Sequence, residues 1–142
     1  MLSLLTLAVA LDPSGTVPPD IARAVLTRLV SQSAADVVLC LKVNEADPPK
    51  SLVRDLQRRD RTIVAGSECH YWSDMKYPDY QISTGRPAHF LSVSKAVWSS
   101  DTALSVQASD HYNGKWAIYW TARVVRRPNG WKVLELHVDS EA

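Results

Sequence analysis

From Ala88 onward the sequence alternates apolar and polar residues in four runs divided by turn residues, and this pattern limits the fold more than any other feature. Side chains along a strand point alternately to its two faces. Leu91, Val93 and Val97 therefore share a face of the first run, and Leu104, Val106 and Ala108 a face of the second. Ile118, Trp120, Ala122 and Val124 share a face of the third, with Leu134, Leu136 and Val138 on the fourth. The four sets predict an antiparallel meander lining one core.

The turn residues then predict register. A two-residue Asn113-Gly114 hairpin would pair Tyr112 with Lys115 and set Ala108 opposite Tyr119, mixing apolar with polar positions. A three-residue loop Tyr112-Asn113-Gly114, with Gly114 at positive φ, keeps the faces consistent. It pairs His111 with Lys115, Asp110 with Trp116, Ala108 with Ile118 and Val106 with Trp120. Pro128-Asn129-Gly130 reads as a similar loop, setting Arg127 opposite Trp131, Val124 opposite Leu134 and Ala122 opposite Leu136. Between the first two runs an even loop, Ser99-Ser100-Asp101-Thr102, places Trp98 by Ala103, Val93 by Ala108, Leu91 by Asp110 and His89 by Tyr112.

Upstream, residues 12–18 form a Pro/Gly/Ser linker. Pro19 to Gln32 then reads as a helix with proline and Asp20 in its first turn and Ile21, Val25 and Leu29 at four-residue spacing. Val37 to Val43 reads as a strand. Asp47 is a candidate cap for a second helix opened by Pro48-Pro49, with Leu52, Val53 and Leu56 as its apolar stripe. Arg54, Arg58, Arg59 and Arg61 are interleaved with Asp55 and Asp60, which reads as a solvated helix end rather than a phosphate site. Thr62 to Ala65 begins another strand. Glu68 to Gln81 is irregular and carries Tyr71, Trp72, Tyr77 and Tyr80 around Asp74, Met75 and Pro78. Aromatics there either fold back over the core or meet a ligand. Thr84-Gly85-Arg86-Pro87 is a turn. The expected class is α+β: two N-terminal helices packed on a curved antiparallel sheet whose last four strands form a meander.

At 142 residues, 46% apolar and 22% charged, residues 19–142 suit one folded domain rather than a disordered chain. Sixteen basic residues against fifteen acidic ones leave no overall field to attract nucleic acid, so none is expected as a partner. Residues 1–18 form a separate segment. Met1 to Leu11 is almost wholly apolar but too short to span a bilayer, so no membrane span is expected. It reads as the hydrophobic part of a signal peptide, with Ala8-Val9-Ala10 as a small-x-small cleavage pattern; a first strand is the alternative. Cys40 and Cys69 fit no zinc or redox motif and are either a disulfide or two buried thiols. With the apolar start, export to the periplasm or outside the cell and a disulfide are the expectation; if Met1 to Leu11 is instead part of the fold, the chain would be cytoplasmic.

The registers gather His89, Asp110, Tyr112 and Trp116 at one end of the core-facing surface. A carboxylate, an imidazole and a phenol beside an indole can form a pocket mouth, with Asp110, His89 and Tyr112 as catalytic candidates and all four as ligand-binding candidates. The same grouping is also what the ragged polar end of a sheet looks like. On the opposite face lie Ser105, Gln107, Ser109, His111, Tyr119, Thr121, Arg123, Glu135 and His137, either solvated or a partner surface. His111 and His137 have no further ligands to complete a zinc set, so neither metal nor cofactor is expected. The chain has no Gly-x-Ser-x-Gly, Walker, dinucleotide-glycine or His-Glu-x-x-His motif.

Cys40-Leu41-x-Val43, Asp47-Pro48-Pro49, Ser67-Glu68-Cys69, Thr84-Gly85-Arg86-Pro87-Ala88 and Gly130-Trp131-Lys132-Val133 together resemble a family of short, uncharacterised exported bacterial proteins. That resemblance, over residues 20–138, implies a Cys40–Cys69 pair and no particular activity. Helices followed by a long meander also resemble the cystatin-like and nuclear-transport-factor-2-like cone folds. Some enzymes of that architecture use a pocket Asp or Tyr in proton transfer, roles that Asp110 and Tyr112 would match. The expectation is a non-enzymatic exported domain that binds a protein or small ligand. The alternative is a small-molecule isomerase or dehydratase-like enzyme with Asp110 as general base.

Overall fold

The computed structural model describes residues 15–34, 36–58, 60–71, 77–113 and 116–141. The Met1–Leu11 segment and Gly114 lie outside them. Helix α1 (Pro19–Gln32) begins as its sequence directs, with Pro18 at the N-cap and Pro19 in the first position, where its missing N–H removes no bond. It buries Ile21, Ala22, Val25, Leu26, Leu29 and Val30. Strand β1 (Val38–Val43) follows, then the short helix α2 (Lys50–Leu56), β2 (Ile63–Ala65) and a 3₁₀ turn at Gly66–Glu68. A two-stranded ribbon, β3 (Cys69–His70) and β4 (Tyr80–Gln81), precedes the meander β5 (Ala88–Ser100), β6 (Ala103–Asn113), β7 (Trp116–Arg127) and β8 (Gly130–Glu141).

The fold is α+β, and the meander is present, but the sheet is mixed. Its order is β2-β1-β5-β6-β7-β8, with β1 parallel to both β2 and β5. Val38 to Leu41 are all buried, as expected of an interior strand covered on both faces. The two helices also do not run together, since β1 lies between them in sequence. Asp47 does not cap α2, whose N-cap is Pro49; its carboxylate instead accepts from the backbone N–H and hydroxyl of Ser67.

Both helices contribute to one core on the first face of the sheet, with Leu39, Leu41, Ile63, Leu91, Val93, Leu104, Val106, Trp120, Ala122 and Val124. The second face is covered over β1, β5 and the end of β6 that carries His111. There the Cys40–Cys69 disulfide, with its Cα atoms 6.4 Å apart, ties the β3–β4 ribbon down on a smaller cluster with Val38, Ala88 and Phe90. Away from His111 and its neighbour Ala117, the second face of β6 and β7 is open, with Gln107, Tyr119 and Arg123 exposed.

The meander keeps the expected faces while several registers differ. Val93–Ala108 and Leu91–Asp110 pair as expected, but a bulge between Ser94 and Val97 reverses the parity beyond it. Lys95 takes a φ of 57° there, Ala96 turns inward and Val97 is 67% exposed rather than core. The same bulge leaves Trp98 beside Leu104 rather than Ala103, and a further irregularity follows between Trp98 and Ser100. Ser100 pairs with Ala103, closing a two-residue turn rather than a four-residue loop.

Between β6 and β7 the pairing is displaced by two residues. Ala108 faces Trp120, Val106 faces Ala122, Asp110 faces Ile118 and His111 faces Ala117. A shift of two preserves every face, which is why the face argument could not detect it. The β7–β8 turn contains only Pro128-Asn129, since Arg127 pairs with Gly130 and Arg126 with Trp131. Gly130 does take positive φ, at 125°. A bulge then restores Ala122 opposite Leu136, but Val124 faces Val133 and Leu134 is left 40% exposed. Val138, also assigned to the core, is 47% exposed.

Candidate functional site

His89, Asp110, Tyr112 and Trp116 do come together on the helix-bearing face. His89 Nδ1 lies 2.6 Å from Asp110 Oδ1, both side chains buried. The His89 ring lies 4.7 Å from that of Tyr112 and 5.1 Å, edge-on, from that of Trp116. Trp116 does not sit opposite Asp110 but pairs with Asn113 at the strand end. Its ring is long enough to reach a diagonal neighbour, so the cluster survives the register difference. An ionised carboxylate can only accept, so His89 Nδ1 carries the hydrogen. None of the four residues lines any of the clefts described below.

Asp110 and His111 are consecutive on β6, so their side chains point to opposite faces. On the second face His111 makes a pair of the same form. Its Nδ1 lies 2.6 Å from Asp79 Oδ2, with the carboxylate wholly buried. This corrects the reading of His111 as a solvated or partner-facing residue. The ribbon covers it: the Tyr71 ring stacks on the imidazole at 4.1 Å and 22° and meets Phe90 edge-on at 5.5 Å. Asp79 is fixed through its backbone, donating to Tyr112 O at 2.8 Å and accepting from Ala88 N at 2.9 Å. With Nδ1 occupied, Nε2 is the edge of the imidazole left for other chemistry.

Where the ribbon stops and the open face begins, a cleft of about 280 Å³ forms. Cross-strand pairing builds its floor as a row: Lys42 beside Ser92, Ser92 beside Ser109, Ser109 beside Tyr119. The next row is Cys40, Phe90 and His111, and Ser94 lies beyond Ser92 on the other side. Tyr71 and Tyr119 form aromatic walls, and Glu45 stands at the rim. None of the hydroxyls of Ser92, Ser94 and Ser109 bonds to a described residue. Burial, with smaller contributions from Tyr119 and Asp79, raises the Tyr71 phenol above its ordinary value. Tyr71 is therefore a neutral hydrogen-bond donor at physiological pH.

Three other clefts are shallower in chemistry. One runs between α1 and the start of β8, past Arg23, Arg28 and Trp131; one is bounded by Tyr77, Tyr80 and Pro87; one lies beside Asp47 and Arg54. Arg23 is already engaged by Asp55 at 3.0 Å. Among the described residues no group of three or more His, Cys, Asp or Glu could hold a metal ion. No helix among them is long and apolar enough to cross a membrane.

Sequence reasoning missed Asp79 and the importance of His111, and named Tyr71 only as one of several aromatics in the irregular stretch. Asp79 lies 32 positions from His111 in the irregular stretch, where local patterns give no register. A usable signal existed in the disulfide. Cys40, Phe90 and His111 are cross-strand neighbours, so a bridge at Cys40 directs the segment after Cys69 toward His111. Comparison of the chain with family models, curated proteins and solved structures gives no match.

Proposed function

We propose that this chain is an exported binding domain for a small molecule, which it seats in the cleft between the β3–β4 ribbon and the open sheet face. The observation that carries this reading is a built cleft with unspent polar groups. Three serine hydroxyls lie on its floor without a partner among the described residues, beside an imidazole whose other nitrogen is locked by a buried carboxylate. Binding sites combine apolar walls with a few fixed polar groups, and Tyr71, Phe90 and Tyr119 supply those walls. The disulfide is compatible with an oxidising compartment. Native mass spectrometry of gently purified protein tests the reading, with Ser109→Leu as the variant that fills the floor. A bound small molecule retained by the wild type and absent from Ser109→Leu is expected; identical spectra would contradict it.

A second reading, proton-transfer catalysis of the cone-fold kind with Asp110 as base, draws on the buried His89–Asp110 pair and its aromatic neighbours. A general base must reach its substrate within hydrogen-bond distance. Asp110 is buried against His89 with Ile118 opposite it, so the open-face cleft is the better-supported site.

A further inference from the structure

We propose that the ligand of this cleft is a zwitterion of amino-acid size, its carboxylate held by Lys42 and its ammonium by Glu45. The inference rests on the reading of the cleft as a ligand site and adds the chemical class.

Lys42 is a half-buried cation on the cleft side of β1, and it enters no ion pair among the described residues. Its position is prepared by the fold. The Lys42 stem lies against Gly66, where an added Cβ would come within 2.8 Å of Cγ, and Nζ sits 5.6 Å above the Phe90 ring. That packing shelters the stem while Nζ stays in reach of solvent, with no anionic partner among the described residues. A carboxylate arriving in the cleft would supply one.

Glu45 is the complementary group. It sits in a turn that returns β1 to Ala46, with φ of 53° at Asn44 and 64° at Glu45. Such a pair of left-handed residues favours Asn followed by Gly. Asn44 is retained for a structural reason, because its amide clamps both N–H and carbonyl of Val17. The Glu45 side chain makes no such bond and no ion pair with a described residue, Lys42 included. A strained residue whose side chain bonds to no described residue, at the rim of a cleft, is accounted for by binding.

Two opposite charges flank one cleft without neutralising each other. A neutral sugar would cover both without pairing either, and a dianion would meet Glu45. A molecule with one carboxylate and one ammonium satisfies both, while the serine floor and the Tyr71 and Tyr119 rings receive its body. The cleft's volume of about 280 Å³ suits a ligand smaller than most drugs.

Calorimetric titration with the standard L-amino acids tests the class, followed by the N-acetyl and α-amide derivatives of the best binder. At least one free amino acid is expected to bind. N-acetylation should weaken it by about tenfold or more in the wild type but add no further loss in Glu45→Gln, and amidation should behave likewise with Lys42→Met. Failure of every amino acid to bind, or equal binding of the blocked derivatives, would overturn the proposal. The two readings fail separately: a neutral or dianionic molecule retained by the wild type and lost from Ser109→Leu removes the zwitterion but leaves the site.

Discussion

Asp79 Oδ2 and His111 Nδ1 lie 2.6 Å apart with the carboxylate fully buried, and this contact fastens the ribbon-side loop to the middle of the sheet. A buried hydrogen bond to a charged group contributes more than a neutral one, and its loss leaves a desolvated partner. Asp79→Asn should therefore lower unfolding free energy by about 1–3 kcal/mol, read from urea denaturation. The slowly exchanging Nδ1 proton of His111 should also disappear from the NMR spectrum. An unchanged midpoint with that proton retained would mean that the pair does not hold the loop.

Most of the fold was legible where side-chain parity decides it. Leu104, Val106, Ala108, Ala122 and Val124 are buried because face alternation admits no compromise without burying Thr121 or Arg123. Parity could not see a shift of two, so Ala108 was matched to Ile118 instead of Trp120. Nor does it announce a bulge: Lys95 is an ordinary residue in the sequence, and only backbone geometry sends Val97 outward. The His89–Asp110 cluster was legible since it lies between adjacent strands. The Asp79–His111 pair was not, because it depends on a segment placed by the disulfide rather than by any periodic pattern.

The disulfide closes a loop with its cysteines 29 positions apart. On the chain-entropy account, cross-linking a loop of that size stabilises the fold by about 3.5 kcal/mol. Cys40→Ala/Cys69→Ala should lose stability on that scale in urea. Because the bridge ties the ribbon to the sheet, the variant should also expose Phe90 and lose the Tyr71–His111 stack, seen as a change in near-ultraviolet circular dichroism.

Glu45 offers a direct conflict between stability and binding. Glycine adopts the left-handed conformation without the Cβ penalty, so Glu45→Gly should raise stability by about 0.5–1 kcal/mol. The same change should weaken amino-acid binding by about tenfold or more. Asn44→Gly should not stabilise the protein, because it forfeits the two bonds to Val17. Thermal denaturation of the two variants separates these outcomes.

Tyr71 should be visible at alkaline pH. Its phenol is raised above the ordinary value of 10.0, chiefly by burial, so the folded state favours the protonated form. The stabilisation is complete below the ordinary value and is lost as pH rises through the raised one. Relative to Tyr71→Phe, the wild type should therefore lose stability only above about pH 10. A difference already changing between pH 6 and 8 would point to another group.

The location of the ligand is the central claim, and the two histidines report on it from opposite faces. Ring resonances of His111 and His89 can be followed by NMR while a library of water-soluble metabolites is added to the folded protein. Binding compounds should shift the His111 ring, with Tyr71 and Ser109 moving alongside it, and leave His89 in place. Compounds that move His89 and Trp116 while His111 stays fixed would put the site on the helix-bearing face and contradict the account.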